Sequence, residues 1–308
     1  MRPATVASSA SRFLSSPVPL PVMVGTFCIL WSSAFAVAKI ALADCPPLLL
    51  LTLRFLVAGT LMLTLAWLSG ARWTLGRREI ALFAVLGVAN QAVYLGIGYM
   101  GLREISSGLS VLIFSANPIV TAILATLVLG EPMNWRKAAG LLLGVGGVAF
   151  IVARHLSVDA GQLRGIILTV IATLSFVAGT ILFKRFAPKD GLWLGNGVQS
   201  LSAGVASLPF ALAFESVGDV APTWRLLAAL AYLAFAVSIF AYLLWFQILA
   251  VSGATAASSY YFLMPPLGVF FGWLLVGEHV AVTDMLGIIP VVLGIYLATR
   301  PSRAASRA

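Results

Sequence analysis

The stretches NPIVTAILATLVLGEPMNW at residues 117–135 and MPPLGVFFGWLLVGEHV at residues 264–280 share one proline, one glycine and one glutamate at an offset of 147 positions, and two glycines beyond each stretch coincide at the same offset. The coinciding pairs are Pro118 with Pro265, Gly130 with Gly277, Glu131 with Glu278, Gly140 with Gly287, and Gly147 with Gly294. Nearer the start of each half, an offset of 145 pairs Lys39 with Lys184 and Arg54 with Gln199. The chain is therefore built from two related halves.

The composition points to lipid as the solvent. Of the 308 residues, 61% are hydrophobic and 9% are charged, and the mean hydropathy is +1.03. A water-soluble domain is about one quarter charged, because it needs a polar surface. Ten apolar runs are long enough to cross a bilayer: 20–40, 47–69, 79–101, 105–129, 135–153, 163–183, 191–214, 224–250, 254–276 and 281–299. The sequence predicts an all-α integral membrane protein with ten transmembrane helices.

The repeat divides these spans into two sets of five. Because five is odd, the second set enters the membrane upside down, and the halves form inverted five-helix repeats. We expect a tail at 1–19, repeats at 20–154 and 155–300, and a tail at 301–308. Inverted repeats are typical of transporters, in which two similar halves rock about a central site. A duplicated bundle without transport activity is the alternative.

The basic residues predict the orientation. Most Lys and Arg residues lie in the two tails and in the loops that follow spans two, four and six, so both termini are expected in the cytoplasm. The net charge of +9 is spread over these short clusters, which suits lipid headgroups and not nucleic acid. Cys28 and Cys45, the only two cysteines, form no metal or redox motif, and no cofactor is expected.

The two quoted stretches, with Gly-Glu after the fourth and ninth spans, resemble the drug/metabolite transporter superfamily and, within it, the EamA-type ten-span exporters. The segment LRFLVAG at residues 53–59 is also similar to that family. This resemblance covers nearly the whole chain. It implies a carrier in the bacterial plasma (inner) membrane that exports amino acids, aromatic ones included, or related small metabolites.

Polar and aromatic side chains mark the faces of the spans that avoid lipid. Such groups are costly in lipid, so their faces should point inward, towards helix contacts or a substrate cavity. The candidates for the cavity are Trp31, Phe35, Asn90, Tyr94, Phe114, Asn117, Thr173, Tyr242, Trp245 and Tyr261. Taken together they predict a moderately polar cavity with aromatic walls.

Pro118 and Pro265 fall near the middle of the fourth and ninth spans. Each removes a backbone hydrogen bond and crowds the carbonyl four residues earlier, which belongs to Phe114 or Tyr261. A freed carbonyl in mid-membrane needs a partner, which a solute or water can supply. The prolines are therefore candidate hinges, and simple packing kinks are the alternative.

Three charged residues complete the candidate set. Arg54 lies deep in the second span, where it can extend outward, bind helix carbonyls or meet a substrate carboxylate; we consider it a gating residue. Glu131 and Glu278 are expected to be structural, each capping the helix that follows it.

The predicted spans hold no Asp, Glu, His or Lys near their middles, which favours a facilitative carrier without an ion relay. A proton-coupled drug or cation exporter is the second possibility. The resemblance weakens it, because the small multidrug pumps of that superfamily use a glutamate in the first span and this sequence has none there. A receptor or scaffold is a third, and no enzymatic motif occurs. The expected partners are a small-molecule substrate and membrane lipid, with no nucleic acid and no obligate protein partner.

Overall fold

The computed structural model describes residues 18–105, 110, 113–114, 117–153, 160–186, 188, 191–277 and 288–299. Of the described residues, 87% are helical, and none of them forms a strand. The helices are α1 Leu20–Ala41, α2 Pro47–Leu68, α3 Arg77–Glu104, α4 Asn117–Leu129, α5 Trp135–Ala153, α6 Ala160–Phe186, α7 Leu192–Phe214, α8 Trp224–Ser252, α9 Ala254–Val276 and α10 Ile288–Thr299.

Seven helices of the described part are long and apolar enough to cross a membrane, namely α1, α2, α3, α6, α7, α8 and α9. This confirms an all-helical, multi-pass membrane protein. The predicted runs 105–129 and 281–299 extend into residues outside the described part, so the count of ten spans stays a prediction.

Left-handed glycines terminate helices at matching places in the two halves. Gly130 follows the last residue of α4 with φ of 68°, and Gly277 follows the last residue of α9 with φ of 79°. Only glycine adopts this conformation without a steric cost, and it is the usual end of an α-helix. The glycines of the two Gly-Glu pairs therefore end α4 and α9.

The helices pack in a pattern that relates the two halves. α2 packs against α7, and α5 against α10. α3 and α4 pack against α6 of the second half, while α8 and α9 pack against α1 of the first. The core lies where α1, α3, α6, α8 and α9 meet.

α2 and α7 run antiparallel. Thr52 of α2 donates a hydrogen bond to Ser207 of α7 at 3.2 Å. Ten residues further along α2, which is about 15 Å at 1.5 Å per residue, the Met62 carbonyl accepts one from the Trp193 indole at 3.0 Å. Numbers that rise along α2 therefore meet numbers that fall along α7.

Glycines bring these two helices close together, and the contacts are reciprocal. A Cβ on Gly59 would lie 2.4 Å from the backbone nitrogen of Leu201, and a Cβ on Gly204 would lie 2.8 Å from the side chain of Leu56. Gly59 and Gly204 are 145 positions apart, as are Leu56 and Leu201. In a membrane, small residues of this kind let helix backbones approach closely.

We expect Gly59→Ala to lower the melting temperature of the detergent-solubilised protein. The new methyl group meets backbone atoms of α7, and overpacking of this kind costs about 1–3 kcal/mol. The control is Gly25→Ala in α1, where nothing lies within 4 Å of the added Cβ. Thermal unfolding followed by tryptophan fluorescence measures both. Equal melting temperatures for the two variants would contradict the close contact.

Candidate functional site

A buried cluster of eight aromatic rings occupies the centre of the bundle, and each ring is at most 4% exposed. This aromatic cluster consists of Phe27, Trp31, Tyr94, Phe114, Phe176, Tyr242, Trp245 and Tyr261. Neighbouring centroids lie as close as 4.9 Å, and most pairs are tilted or edge-to-face, the arrangements that aromatic quadrupoles favour. Both halves of the chain contribute rings to the cluster.

Segments of π-helix precede two of these rings at matching places. Val88–Val93 leads into Tyr94 in α3, and Tyr232–Ala241 leads into Tyr242 in α8. A π-helix displaces the regular hydrogen-bond ladder and is frequent at functional sites. Within these segments, the Asn90 carbonyl accepts a hydrogen bond from the Tyr242 hydroxyl at 3.1 Å. The Ser238 carbonyl accepts one from the Asn196 side-chain amide at 2.9 Å.

Two small cavities flank Tyr94, each of about 20 Å³. Phe35, Tyr94 and Tyr99 line both of them. The first is otherwise bounded by Ser110, Phe114 and Thr173, among others, and the second by Trp31 and Arg54. A volume of this size holds roughly one water molecule. A larger solute therefore needs the rings to separate.

Arg54 is 1% exposed and points into the second cavity. Its Nε donates to the Ser238 hydroxyl and one terminal nitrogen donates to the Tyr99 hydroxyl, both at 2.7 Å. The guanidinium also lies 5.0 Å from the centroid of the Phe55 ring, within the range of a cation–π contact. The side chain is thus fixed in the protein interior and does not extend to the membrane surface.

The predicted polar candidates have different surroundings. The Thr173 hydroxyl donates to the Thr169 carbonyl at 2.8 Å, and the residue lines the first cavity. Asn117 accepts a hydrogen bond from Thr121 at 2.6 Å, while its Nδ2 has no partner among the described residues. The Asn90 side chain packs against Gly179 of α6, and its Oδ1 is likewise without a described partner. Neither asparagine lines the two cavities.

Pro265 lies at the start of a new helical segment of α9. A 3₁₀ turn, Tyr260–Leu263, precedes the segment Met264–Phe271, and the Met264 N–H donates to the Tyr261 carbonyl. The prediction that this carbonyl is free is therefore wrong, because the tighter turn supplies its partner. Pro118 is buried in α4, two residues beyond a gap in the described part.

Glu131 caps a helix of the other half. Its carboxylate accepts hydrogen bonds from the backbone N–H groups of Ala254 and Thr255 at 2.8 and 3.1 Å, and from the Thr255 hydroxyl at 2.6 Å. The prediction that it caps the following helix is wrong, since Asn134 performs that role by accepting from the Lys137 N–H at 2.9 Å. Its sequence mate Glu278 lies outside the described residues.

The hydrogen bonds that Glu131 accepts from the start of α9 lower its pKa. Partial burial raises it, but hydrogen bonds from the Thr255 hydroxyl and from the Ala254 and Thr255 N–H groups, aided by the charge of Lys137, outweigh burial and lower the pKa. The carboxylate is therefore the stable form in the folded protein.

The remaining ends of the central helices are also held by charged side chains. At the end of the bundle that contains Glu131, Lys184 donates to the Leu249 carbonyl at 2.9 Å and Arg185 to the Val128 carbonyl at 2.9 Å. At the opposite end, Glu215 accepts from the Leu48 and Leu49 N–H groups at 2.9 and 2.8 Å. Acids at helix N-termini and bases at C-termini suit the helix dipole.

Sequence reasoning missed two rings and one hydroxyl of the site. Phe27 precedes Trp31 by four residues, and Phe176 follows Thr173 by three. Helical spacing therefore places each phenylalanine on the same helix face as a predicted cavity residue. Both are ordinary apolar residues, and nothing else distinguished them. Tyr99, the partner of Arg54, lies five residues beyond Tyr94.

A bundle of membrane-length helices around a buried aromatic and polar centre defines the class: a polytopic helical membrane protein. The sequence profile described as the EamA-like transporter family matches residues 21–153 and, a second time, residues 163–300. The chain belongs to the EamA-like transporter family, and its sequence contains the repeated domain of that family.

Relatives of similar length support this membership. The uncharacterized transporter YoaV of Bacillus subtilis (strain 168) is 25% identical over 282 residues, which cover 90% of this chain and 96% of the relative. Protein PecM of Dickeya dadantii (strain 3937) is 25% identical over 261 residues, covering 84% and 85% of the two chains. A solved crystal structure superposes with a TM-score of 0.73 at 17% identity over 91% of this chain and 96% of that one, which shows a shared fold.

We expect Glu131→Gln to destabilise the protein by about 1 kcal/mol, the usual contribution of a helix cap. Because the folded pKa lies below the ordinary value of 4.5, the stabilisation is present above that value and is lost as the pH falls through the lowered pKa. Melting temperatures measured across this range should fall for the parent protein more than for the variant.

The control for this prediction is Glu79→Gln. Glu79 accepts from the Gly76 N–H within its own helix start, and that contact is exposed. The Glu131→Gln and Thr255→Val changes should also be non-additive, because both act on the hydrogen bond between the Thr255 hydroxyl and the Glu131 carboxylate. Strict additivity would show that this hydrogen bond contributes little.

Proposed function

We propose that the protein is a carrier that exports amino acids, aromatic and other apolar ones first, or related small metabolites, across the bacterial inner membrane by alternating access. The observation that carries this proposal is the aromatic cluster, because both halves build it at the centre of the bundle. Family membership supports small-molecule transport, and the chemistry of the cluster supports the choice of substrate.

Reciprocal contacts support two inverted five-helix repeats at 20–154 and 155–300. α2 and α7 occupy equivalent places in the halves and run antiparallel, as an inversion requires. Trp31 contacts Tyr242 at 5.0 Å, and Phe176, which lies 145 positions after Trp31, contacts Tyr94 at 4.9 Å. Both tyrosines directly follow a π-helical segment. Such exchange of partners is expected of a twofold relation. With the double family match, it favours ten spans with both termini in the cytoplasm.

The lining of the two cavities supports a solute that has an apolar or aromatic side chain. Trp31, Phe35, Tyr94 and Phe114 offer ring faces and edges. Tyr261, which packs against Phe114 behind this lining, has a hydroxyl without a partner among the described residues. Aromatic walls bury apolar side chains and also attract an ammonium group.

The prolines and Arg54 fit the moving parts of such a carrier. The break in α9 before Pro265 allows the halves of that helix to change their relative angle, and Pro118 holds the matching place in α4. Arg54 is the only charged side chain among the buried residues of the described part, so no buried acid offers an ion relay there. This favours movement down the gradient of the solute.

A panel of labelled amino acids tests the proposal by flux into liposomes that contain the purified protein. We expect aromatic and branched apolar amino acids to enter faster than into empty vesicles. Trp31→Ala should reduce this flux about tenfold or more, because each ring of a binding site contributes on the order of 1–3 kcal/mol. Trp31 is 4% exposed, whereas Trp67 is 78% exposed on the lipid face, so Trp67→Ala is the matched control.

If no amino acid crosses faster than in empty vesicles, the proposed substrate class is wrong. If an imposed pH gradient alone concentrates the solute, the carrier is proton-coupled and the facilitative mechanism is wrong.

Labelling with a membrane-impermeant maleimide tests the topology. The native Cys28 and Cys45 are buried, at 1% and 2% exposure, and should react slowly. Asp219→Cys should be labelled in intact spheroplasts and Arg72→Cys only after permeabilisation, because the inverted repeats place these exposed positions on opposite faces. Labelling of both in intact spheroplasts would contradict the topology.

A further inference from the structure

The hydrogen bonds of Arg54 leave most of its donors available. A guanidinium has five N–H donors and stays protonated in proteins. Two of its nitrogens donate to the hydroxyls of Ser238 and Tyr99, which are neutral. These contacts orient the planar group and leave three further N–H donors. The geometry is that of a fixed cation beside a cavity.

The charge of Arg54 is not compensated by the protein around it. No Asp or Glu in the described part of the chain contacts Arg54, and the buried polar side chains there are otherwise Ser, Thr, Asn and Gln. A buried charge without an opposite charge is unfavourable in a low-dielectric interior. An anion would therefore bind beside Arg54 with a more favourable free energy than a neutral or cationic group.

The two cavities differ in charge. Arg54 lines only the cavity that also contacts Trp31, whereas no charged side chain lines the cavity on the Phe114 side among the residues that the structure describes. They share Phe35, Tyr94 and Tyr99, so they lie next to each other. A ligand that extends across both would place a carboxylate at Arg54 and an aromatic ring against Phe114. Guanidinium and carboxylate are geometrically matched for paired hydrogen bonds.

The repeat provides only one such cation. The position equivalent to Arg54 in the second half is Gln199, which is fully buried and neutral, with no described partner for its side-chain amide. A site with a single positive charge is balanced by one negative charge. This asymmetry between otherwise similar halves favours a single carboxylate over two.

We infer that Arg54 is the carboxylate-binding residue of the central site, and that aromatic monocarboxylate anions bind there more tightly than zwitterionic amino acids. This inference rests on the proposed carrier function and specifies the charge of its substrate. A bound anion neutralises the charge of Arg54, a zwitterion leaves the net charge of the site at +1, and a cation raises it to +2. We therefore expect the affinity to fall from the anion to the zwitterion to the cation.

Three ligands built on the same phenylethyl group test the inference: phenylalanine, 3-phenylpropionate, which lacks its ammonium group, and phenethylamine, which lacks its carboxylate. Calorimetric titration of the full chain in nanodiscs measures binding, because protonated carboxylic acids cross bilayers unaided and would obscure a flux assay. We expect 3-phenylpropionate to bind about tenfold tighter than phenylalanine, and phenethylamine not to bind, as one uncompensated charge can produce a difference of this size.

Arg54→Gln places in α2 the residue type that occupies the equivalent position of α7, and it should abolish the preference for the anion. Arg54→Lys retains the charge without the planar fork and should keep part of that preference. The matched control is Arg103→Gln, an exposed arginine at the end of α3, which should leave the order unchanged.

Tighter binding of phenylalanine than of 3-phenylpropionate by the parent protein would overturn the inference, whether or not the Arg54 variants fold. An unchanged order in a folded Arg54→Gln variant would also overturn it. If phenylalanine crosses the membrane in the liposome assay and binds best, only the charge assignment fails. If no ligand binds and no amino acid crosses, both the charge assignment and the proposed carrier function fail.

Discussion

Where α2 crosses α7, the two backbones are so close that neither helix has room for a side chain at its glycine, Gly59 in α2 and Gly204 in α7. Lipid gives helices no hydrophobic reason to associate, so close packing and hydrogen bonds must hold them. The glycines of this crossing bring Asn196 of α7 to the carbonyl of Ser238 in α8, at 2.9 Å. The Ser238 hydroxyl in turn fixes Arg54 of α2 at 2.7 Å. The position of the buried charge thus depends on the approach of two backbones.

The π-helical segments of α3 and α8 depend on the same constraint. A backbone carbonyl displaced from its ladder in mid-membrane must find another donor. For Asn90 and Ser238, that donor is a side chain of the second half, from Tyr242 and Asn196 respectively. Because both halves retain the irregularity at matching places, beside Tyr94 and Tyr242, we consider it part of the site and not a local defect of folding.

The sequence predicted the helices well because their signal is local. The runs 47–69 and 191–214 correspond to Pro47–Leu68 and Leu192–Phe214, within a residue at each end. The inward faces of the helices could also be predicted from the sequence, because a row of polar and aromatic residues at helical spacing is costly in lipid. Six rings of the aromatic cluster were predicted in this way, and Phe27 and Phe176 were missed because an apolar residue fits either face.

Contacts between distant segments were beyond such reasoning. Glu131 is close in sequence to the start of α5, but its carboxylate meets the start of α9, more than a hundred residues away. The Tyr261 carbonyl was expected to be free, because a proline in a regular helix frees it; the chain instead forms a 3₁₀ turn. In both cases the deciding fact is which backbone group lies nearby in three dimensions, and a single sequence does not contain it.

The strengths of the contacts differ along the bundle. At one end Glu131 caps α9, and at the other Glu215 caps α2, and a helix cap contributes only about 0.5–2 kcal/mol. At the centre, the reciprocal contacts of Gly59 and Gly204 involve backbone atoms and cannot be loosened without separating whole helices. Opening either end therefore costs less than moving the central crossing. The proposed alternation of access needs this distribution, with a fixed centre that holds the solute and two ends that open in turn.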